Sequence, residues 1–207
     1  MIKAIIFDAD GVLLDDTKVY IKAYQETGKR LKLKVPKKSK IRKAFGLPWD
    51  EILTMLYGNS NENVKKTYLS ICNEFKPQIK IMDNSEYILK KMKIRKAVVT
   101  SNYKEALKRK MGNLIGFFEV IITKEETKKH KPNPDPLLLA CKKLKIKPEE
   151  AIYVGDAVID YQTARNAGMN FIGFISGSAS KEDFKKLNVK YVTSMKDLLK
   201  NLNIKSK

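Results

Sequence analysis

Asp8 and Asp10 stand one residue apart directly after the apolar run Ile5-Ile6-Phe7, and Gly11 follows them. Two carboxylates at the end of a buried segment are costly unless a cation neutralises them. Such hard oxygen ligands suit magnesium, which keeps several of its waters and needs only one or two carboxylates. A second acidic pair, Asp156 and Asp160, also follows an apolar run, Ile152-Tyr153-Val154. Four residues make about one helical turn, so Asp160 can point back toward the ion that Asp156 meets. Either pair alone fits the ordinary capping of a turn or helix. Two pairs at the ends of two strands make a shared cation the better account.

Lys131 lies in His130-Lys131-Pro132-Asn133-Pro134-Asp135-Pro136, where alternating prolines stiffen the backbone just before a helix start. An ammonium fixed near two aspartates neutralises charge and can grip a phosphoryl oxygen. Thr100-Ser101-Asn102 closes the apolar run Ala97-Val98-Val99. A hydroxyl and backbone N–H groups at such a strand-to-helix turn suit an anionic oxygen, and Thr100, Ser101 and Asn102 are all candidates for phosphate binding. Thr100 is favoured over Ser101 as the residue that closes the strand. His130, the one histidine of the chain, reads as a neighbour of Lys131 rather than a general base.

These residues need a scaffold that brings strand ends to one edge. Apolar runs at 2–7, 94–100, 118–123, 151–154 and 170–175, with a weaker one at 189–192, read as strands. Helical patterns lie between them at 84–93, 103–114, 134–145, 158–167 and 194–202. Such alternation predicts an α/β fold, a doubly wound parallel sheet covered on both faces. Residues 17–80 break the alternation with helices at 17–32, 36–45, 48–57 and 61–75, an insert after the first strand. The expected division is a core of residues 1–16 and 81–207 with a helical cap of residues 17–80. Ligands bind at the carboxyl ends of strands in open α/β sheets, so the insert is placed to act as a lid. Residues Asn203 to Lys207 read as a frayed end.

The net charge of +19 draws anions of any size. Lysines are spread along the whole chain among glutamates and apolar residues, the pattern of a solvated surface, so no nucleic-acid partner is expected. No apolar run approaches the length of a membrane span, and no signal peptide is evident, so a cytoplasmic location is expected. Cys72 and Cys141 are too far apart in sequence to suggest a thiolate site.

In this order the segments resemble the haloacid dehalogenase superfamily of phosphohydrolases. The correspondence runs through Asp-x-Asp-Gly at 8–11, Thr/Ser at 100–101, Lys-Pro-x-Pro-Asp at 131–135 and Gly-Asp-x-x-x-Asp at 155–160. The place of the insert is similar to the helical-cap subfamily, which includes phosphoglycolate phosphatase-like and β-phosphoglucomutase-like enzymes. The resemblance implies a Rossmann-like core and Mg2+-dependent hydrolysis of a small phosphorylated metabolite. Asp8 would be the nucleophile and Asp10 the general acid/base. It further implies metal ligation by Asp8, the Asp10 carbonyl and Asp156, with Asp160 a further or outer-sphere ligand. Lys131 and the Thr100/Ser101 group would clamp the phosphoryl oxygens.

A phosphomutase would share every one of these core residues, and a non-enzymatic phospho-acceptor domain is a rival from another class. The early position of Asp8 and the helical insert count against the latter. Substrate identity would reside in the cap. Lys37, Lys38, Lys40, Arg42 and Lys43 are basic candidates there, and Trp49 is placed either to pack a cap helix or to line a substrate slot.

Overall fold

The computed structural model describes residues 1–47 and 49–202. Pro48, the expected start of the 48–57 helix, and the terminal segment expected to fray lie outside the described residues.

The chain begins with β1 (Ala4–Phe7), whose four residues are fully buried. Apolar on both faces, this run suits the centre of a parallel sheet. The other strands of the main sheet are β4 (Arg95–Val99), β5 (Val120–Ile122), β6 (Ala151–Gly155), β7 (Asn170–Phe174) and β8 (Tyr191–Val192). They pair in parallel in the order β5-β4-β1-β6-β7-β8, so β1 lies between β4 and β6. Phe7 is level with Val98 on one side and Val154 on the other, which brings the next residues of all three strands to one edge.

Helices cover both faces. On one side α5 (Ser85–Lys91), α6 (Lys104–Met111) and α10 (Met195–Asn201) bury Ile88, Leu107 and Leu198 against Ile5, Phe7 and Val98. On the other, α7 (Asp135–Leu144) and α8 (Val158–Asn166) bury Leu137, Ala140 and Ala164 against Ile6, Val99 and Tyr153. Each fully buried aliphatic or Phe side chain contributes about 1.5–3 kcal/mol of transfer free energy. A further helix, α9 (Lys181–Lys186), has no counterpart in the sequence reading. Ser180 caps it reciprocally with Asp183, and Phe184 anchors it.

Between β1 and the rest of the core runs α1 (Thr17–Arg30), α2 (Lys38–Ala44), α3 (Trp49–Tyr57) and α4 (Glu62–Phe75). Their apolar faces meet in a cluster of their own around Tyr24, Ile41, Leu53, Tyr68 and Ile71. Trp49 packs toward Tyr68 with ring centroids 5.9 Å apart, so the structure gives it a packing contact in this layer. The chain leaves the core through β2 (Leu14–Asp15) and returns through β3 (Lys80–Ile81), a two-residue antiparallel ladder absent from the sequence reading.

The helical layer approaches the core closely at Gly46. Gly46, at φ +90°, lies so near α8 that a Cβ there would fall 2.1 Å from Cγ2 of Ile159. No described helix is long and apolar enough to cross a membrane.

Candidate active site

Asp8, Asp156 and Thr100 each leave the end of a strand. Asp8 follows β1, and its N–H still donates to the Val154 carbonyl at 2.8 Å, so the ladder holds its backbone rigid. Asp156 follows β6 directly. Thr100 follows β4, its N–H donating to the Ile122 carbonyl at 3.0 Å. The intervening turn needs Gly11: its φ is +72°, and a Cβ would stand 2.1 Å from an Asp156 carboxylate oxygen. That contact measures how tightly the first and last acidic segments are pressed together.

Lys131 is the centre of this set. Its Nζ donates to Asp160 Oδ1 at 2.7 Å, pairs with Asp8 Oδ2 at 3.1 Å, and lies 5.4 Å from the centroid of the Tyr153 ring. Asp160 also accepts from Tyr153 Oη at 3.0 Å and from the Ala157 N–H at 3.1 Å. Both of its oxygens are thus engaged, and in this arrangement it anchors Lys131. Asp8 accepts from the Ala9 N–H at 2.7 Å, and Asp156 from Ser176 Oγ at 2.9 Å.

Oxygens offered by Asp8, Asp156 and Asp160 all lie within 4.8 Å of one another, and all three residues are buried. Burial pushes the Asp8 carboxyl well above its usual range; Lys131 opposes that, and Asp160, Asp10 and Asp156 add to it. Asp156 is pushed up to about 7 by burial and by Asp160, against the Ser178 and Ser176 hydroxyls and Lys131. Three buried carboxylates sharing one ammonium hold excess negative charge, which is a donor set that fits a hard divalent cation. Ionised Asp156 is the form that would bind one, so below about pH 7 a cation must displace its proton. The thermal shift produced by Mg2+ should therefore grow as pH rises from 5 through 7. The matching loss of affinity below pH 7 is at least about tenfold per pH unit, because the Asp8 carboxyl in the same set is raised as well. Melting curves with Mg2+ or chelator across this range test it; a shift independent of pH would contradict it.

Asp10 belongs to a separate set. Its Oδ2 accepts from Asn102 Nδ2 at 2.7 Å and its Oδ1 from Lys110 Nζ at 2.8 Å. Lys110 also donates to Asn102 Oδ1 at 2.9 Å, and it stands 3.7 Å from Asp16 and 5.0 Å from the centroid of the Tyr20 ring. Burial resists ionisation of Asp10, but Lys110 and hydrogen bonds from Asp16, Lys110 and Asn102 outweigh it and pull the carboxyl down to about 2. Asp16 is shifted the opposite way, well up, by burial and by Asp10. Its Oδ2 is buried without a hydrogen-bond donor in reach among the described residues.

The Asn102 side chain faces β1. Its amide is committed to Asp10 and to Thr100 Oγ1 at 2.9 Å, because its position in the turn aims it back toward β1. Thr100 is buried and Ser101 exposed; both line a small cavity beside Lys131, together with His130. The His130 ring makes no hydrogen bond among the described residues. Lys37, Lys38, Lys40, Arg42 and Lys43 are all exposed. Lys110, Asp16, Tyr153 and Ser176 escaped the sequence reading. Lys110 carried a signal: it falls three residues after Leu107 and one before Met111, on the buried face of α6.

A helix-flanked parallel sheet with acids at two adjacent strand ends, a hydroxyl turn at a third and a buried lysine beside them defines the class, and similarity to known proteins agrees. Residues 5–174 match the family model described as haloacid dehalogenase-like hydrolase, and the chain belongs to that family. It is 33% identical over 179 residues to a Clostridium perfringens protein named "Putative pyrophosphatase PpaX", covering 84% of each chain. An Aquifex aeolicus phosphoglycolate phosphatase is 26% identical, with 80% of this chain and 81% of that one covered. Among solved structures, a Lactobacillus plantarum protein titled "putative phosphoglycolate phosphatase" superposes with a TM-score of 0.83 at 25% identity, covering 97% of this chain and 99% of that one.

Proposed function

We propose that the chain is a cytoplasmic, magnesium-dependent phosphatase that hydrolyses a small phosphate monoester through an aspartyl-phosphate on Asp8. One observation carries the reading: Asp8 faces Lys131, Asp156 and Asp160, while Asp10, two residues on, is held apart by Asn102 and Lys110. The two acids therefore have different surroundings and different work.

A carboxylate oxygen of Asp8 attacks phosphorus in line with the departing alcohol, helped by a backbone that the sheet holds still. Lys131, anchored by Asp160, neutralises negative charge on the phosphoryl oxygens, and Thr100 or Ser101 supplies a hydroxyl to them. Asp10 gives a proton to the leaving oxygen. The incoming phosphoryl charge opposes Lys110 and raises the proton affinity of Asp10, as that step requires. Asp10 then takes a proton from the water that attacks the phosphoenzyme. Mg2+, held by Asp8, the Asp10 carbonyl and Asp156, with Asp160 behind them, would supply charge neutralisation and orientation of the phosphoryl group. Residues 17–80 form the cap over a core of 1–16 and 81–207, and the cap sets substrate choice.

A second reading, an inorganic or organic diphosphate as substrate, is favoured by the relatives named pyrophosphatase. The test is release of inorganic phosphate from phosphoglycolate, sugar phosphates, nucleotides and diphosphate, each with Mg2+ and with excess chelator. Turnover that stops in chelator and returns with Mg2+ is expected. Preference for diphosphate would select the second reading, and undiminished turnover in chelator would remove the metal.

A further inference from the structure

Lys110 is a lysine inside the core layer. Its side chain is 9% exposed although it sits in the sequence Lys108-Arg109-Lys110, whose run of basic residues suggests solvent. Placing an ammonium there is costly unless every donor has a partner, and here the partners converge on one group. Lys110 and Asn102 take one Asp10 oxygen each, at 2.8 and 2.7 Å, and a further contact of 2.9 Å between Lys110 and Asn102 closes the triangle. Rotation of the Asp10 carboxylate about its terminal bond would break both contacts. Neither Lys110 nor Asn102 is hydrogen-bonded to Asp8, Asp156 or Asp160 among the described residues. The same ammonium faces Asp16, just before α1, and Tyr20, on its first turns. It therefore ties Asp10 to the segment through which the chain enters the helical layer.

We propose that Lys110 is a positioning residue that acts through Asp10, fixing the rotation of its carboxylate for activation of the water that hydrolyses the Asp8 phosphoenzyme. The inference rests on the aspartyl-phosphate reading given above. In the step concerned, the water oxygen bonds to phosphorus while the P–O bond to Asp8 breaks. That electron pair returns to the Asp8 carboxylate, and the water proton passes to an Asp10 oxygen. Lys110 supplies orientation and not basicity, since an adjacent ammonium lowers the proton affinity of a carboxylate. Without Lys110 one of the two contacts that fix the carboxylate is lost, it is misdirected more of the time, and the penalty falls on the step that needs it.

2,4-Dinitrophenyl phosphate isolates this step, because its leaving group departs without a proton from Asp10. Its kcat/KM reports formation of the phosphoenzyme alone, whereas kcat includes hydrolysis. In Lys110→Met, kcat should fall by about 10- to 100-fold, the range of a general-base contribution impaired but not removed. KM should fall in proportion, leaving kcat/KM unchanged, and dinitrophenolate should appear in a burst approaching one per enzyme. Asp10→Ala should give the same signature with a larger fall in kcat.

Equal losses in kcat and kcat/KM without a burst in Lys110→Met, beside a burst in Asp10→Ala, would overturn the role of Lys110 and leave that of Asp10 standing. A fully active Asp10→Ala would overturn both. Should Lys110→Met fail to fold, Lys110→Gln carries the same test. It keeps an N–H donor, and a burst with unchanged kcat/KM supports the proposal, while parallel losses overturn it.

Discussion

Asp8→Asn should lower Mg2+-dependent phosphate release by at least about a thousandfold while the protein stays folded. Asparagine has nearly the same shape, so the turn between β1 and Gly11 and the contact with the Ala9 N–H survive. What disappears is the anionic oxygen that attacks phosphorus. The fold tolerates the change because burial already works against ionisation of Asp8 and three other acids crowd it. Lys131 keeps its shorter contact, to Asp160 at 2.7 Å. Loss of turnover with a melting temperature within a few degrees of the wild type is the expected result, read by steady-state kinetics and thermal melts. A variant with wild-type turnover would exclude Asp8 as nucleophile.

Lys131→Met should impair both activity and stability. Lys131 is buried, and its ammonium is held strongly protonated by Asp160 and Asp8 despite its burial. Methionine fills much of the same volume but leaves both carboxylates without their cation. Removing one partner of a buried ion pair costs about 3–5 kcal/mol. In a domain of this size that lowers the melting temperature by roughly 6–20 °C. The sign with pH follows from the acids left behind. As pH falls Asp8, whose carboxyl burial already holds well above its usual range, takes up a proton and its buried charge disappears, so the deficit should shrink toward pH 5. Melts in chelator from pH 5 to 8 check this, and a deficit that does not change with pH would mean that packing, not charge, is what Lys131 supplies. Turnover should fall by about a hundredfold or more, as when one stabilising donor to a transition-state oxygen is removed.

The legible part of the molecule was the part where burial and chemistry coincide. Strands β1, β4 and β6 are apolar runs that stop at Asp8, Thr100 and Asp156, and a buried parallel strand can stop in no clearer way. Their neighbourhood followed from topology, since alternation with helices fixes which ends share an edge. Lys131 was legible because prolines flank it. Lys110 was obscured because two basic residues precede it, and the apolar period of α6 had to be weighed against that charge. Asn102 lies in the turn after β4, but sequence does not fix how a side chain points within a turn, and in the structure its amide donates to Asp10. Two-residue strands such as β2 and β3 have too few positions to display a period. The helix α9 buries only Phe184, so its capping signal at Ser180 and Asp183 was its one clear mark.

The central claim is a covalent phosphoryl group on Asp8, and it is tested most directly by trapping it. The protein is mixed with Mg2+ and a turned-over phosphate ester, quenched in acid within the first turnover, digested, and mapped by mass spectrometry. A phosphoryl group on the peptide containing Asp8, removed by hydroxylamine and absent in Asp8→Asn, is expected. Release of phosphate with no phosphoryl group on Asp8 at any quench time, even in Asp10→Ala given 2,4-dinitrophenyl phosphate, where it should accumulate, would contradict it.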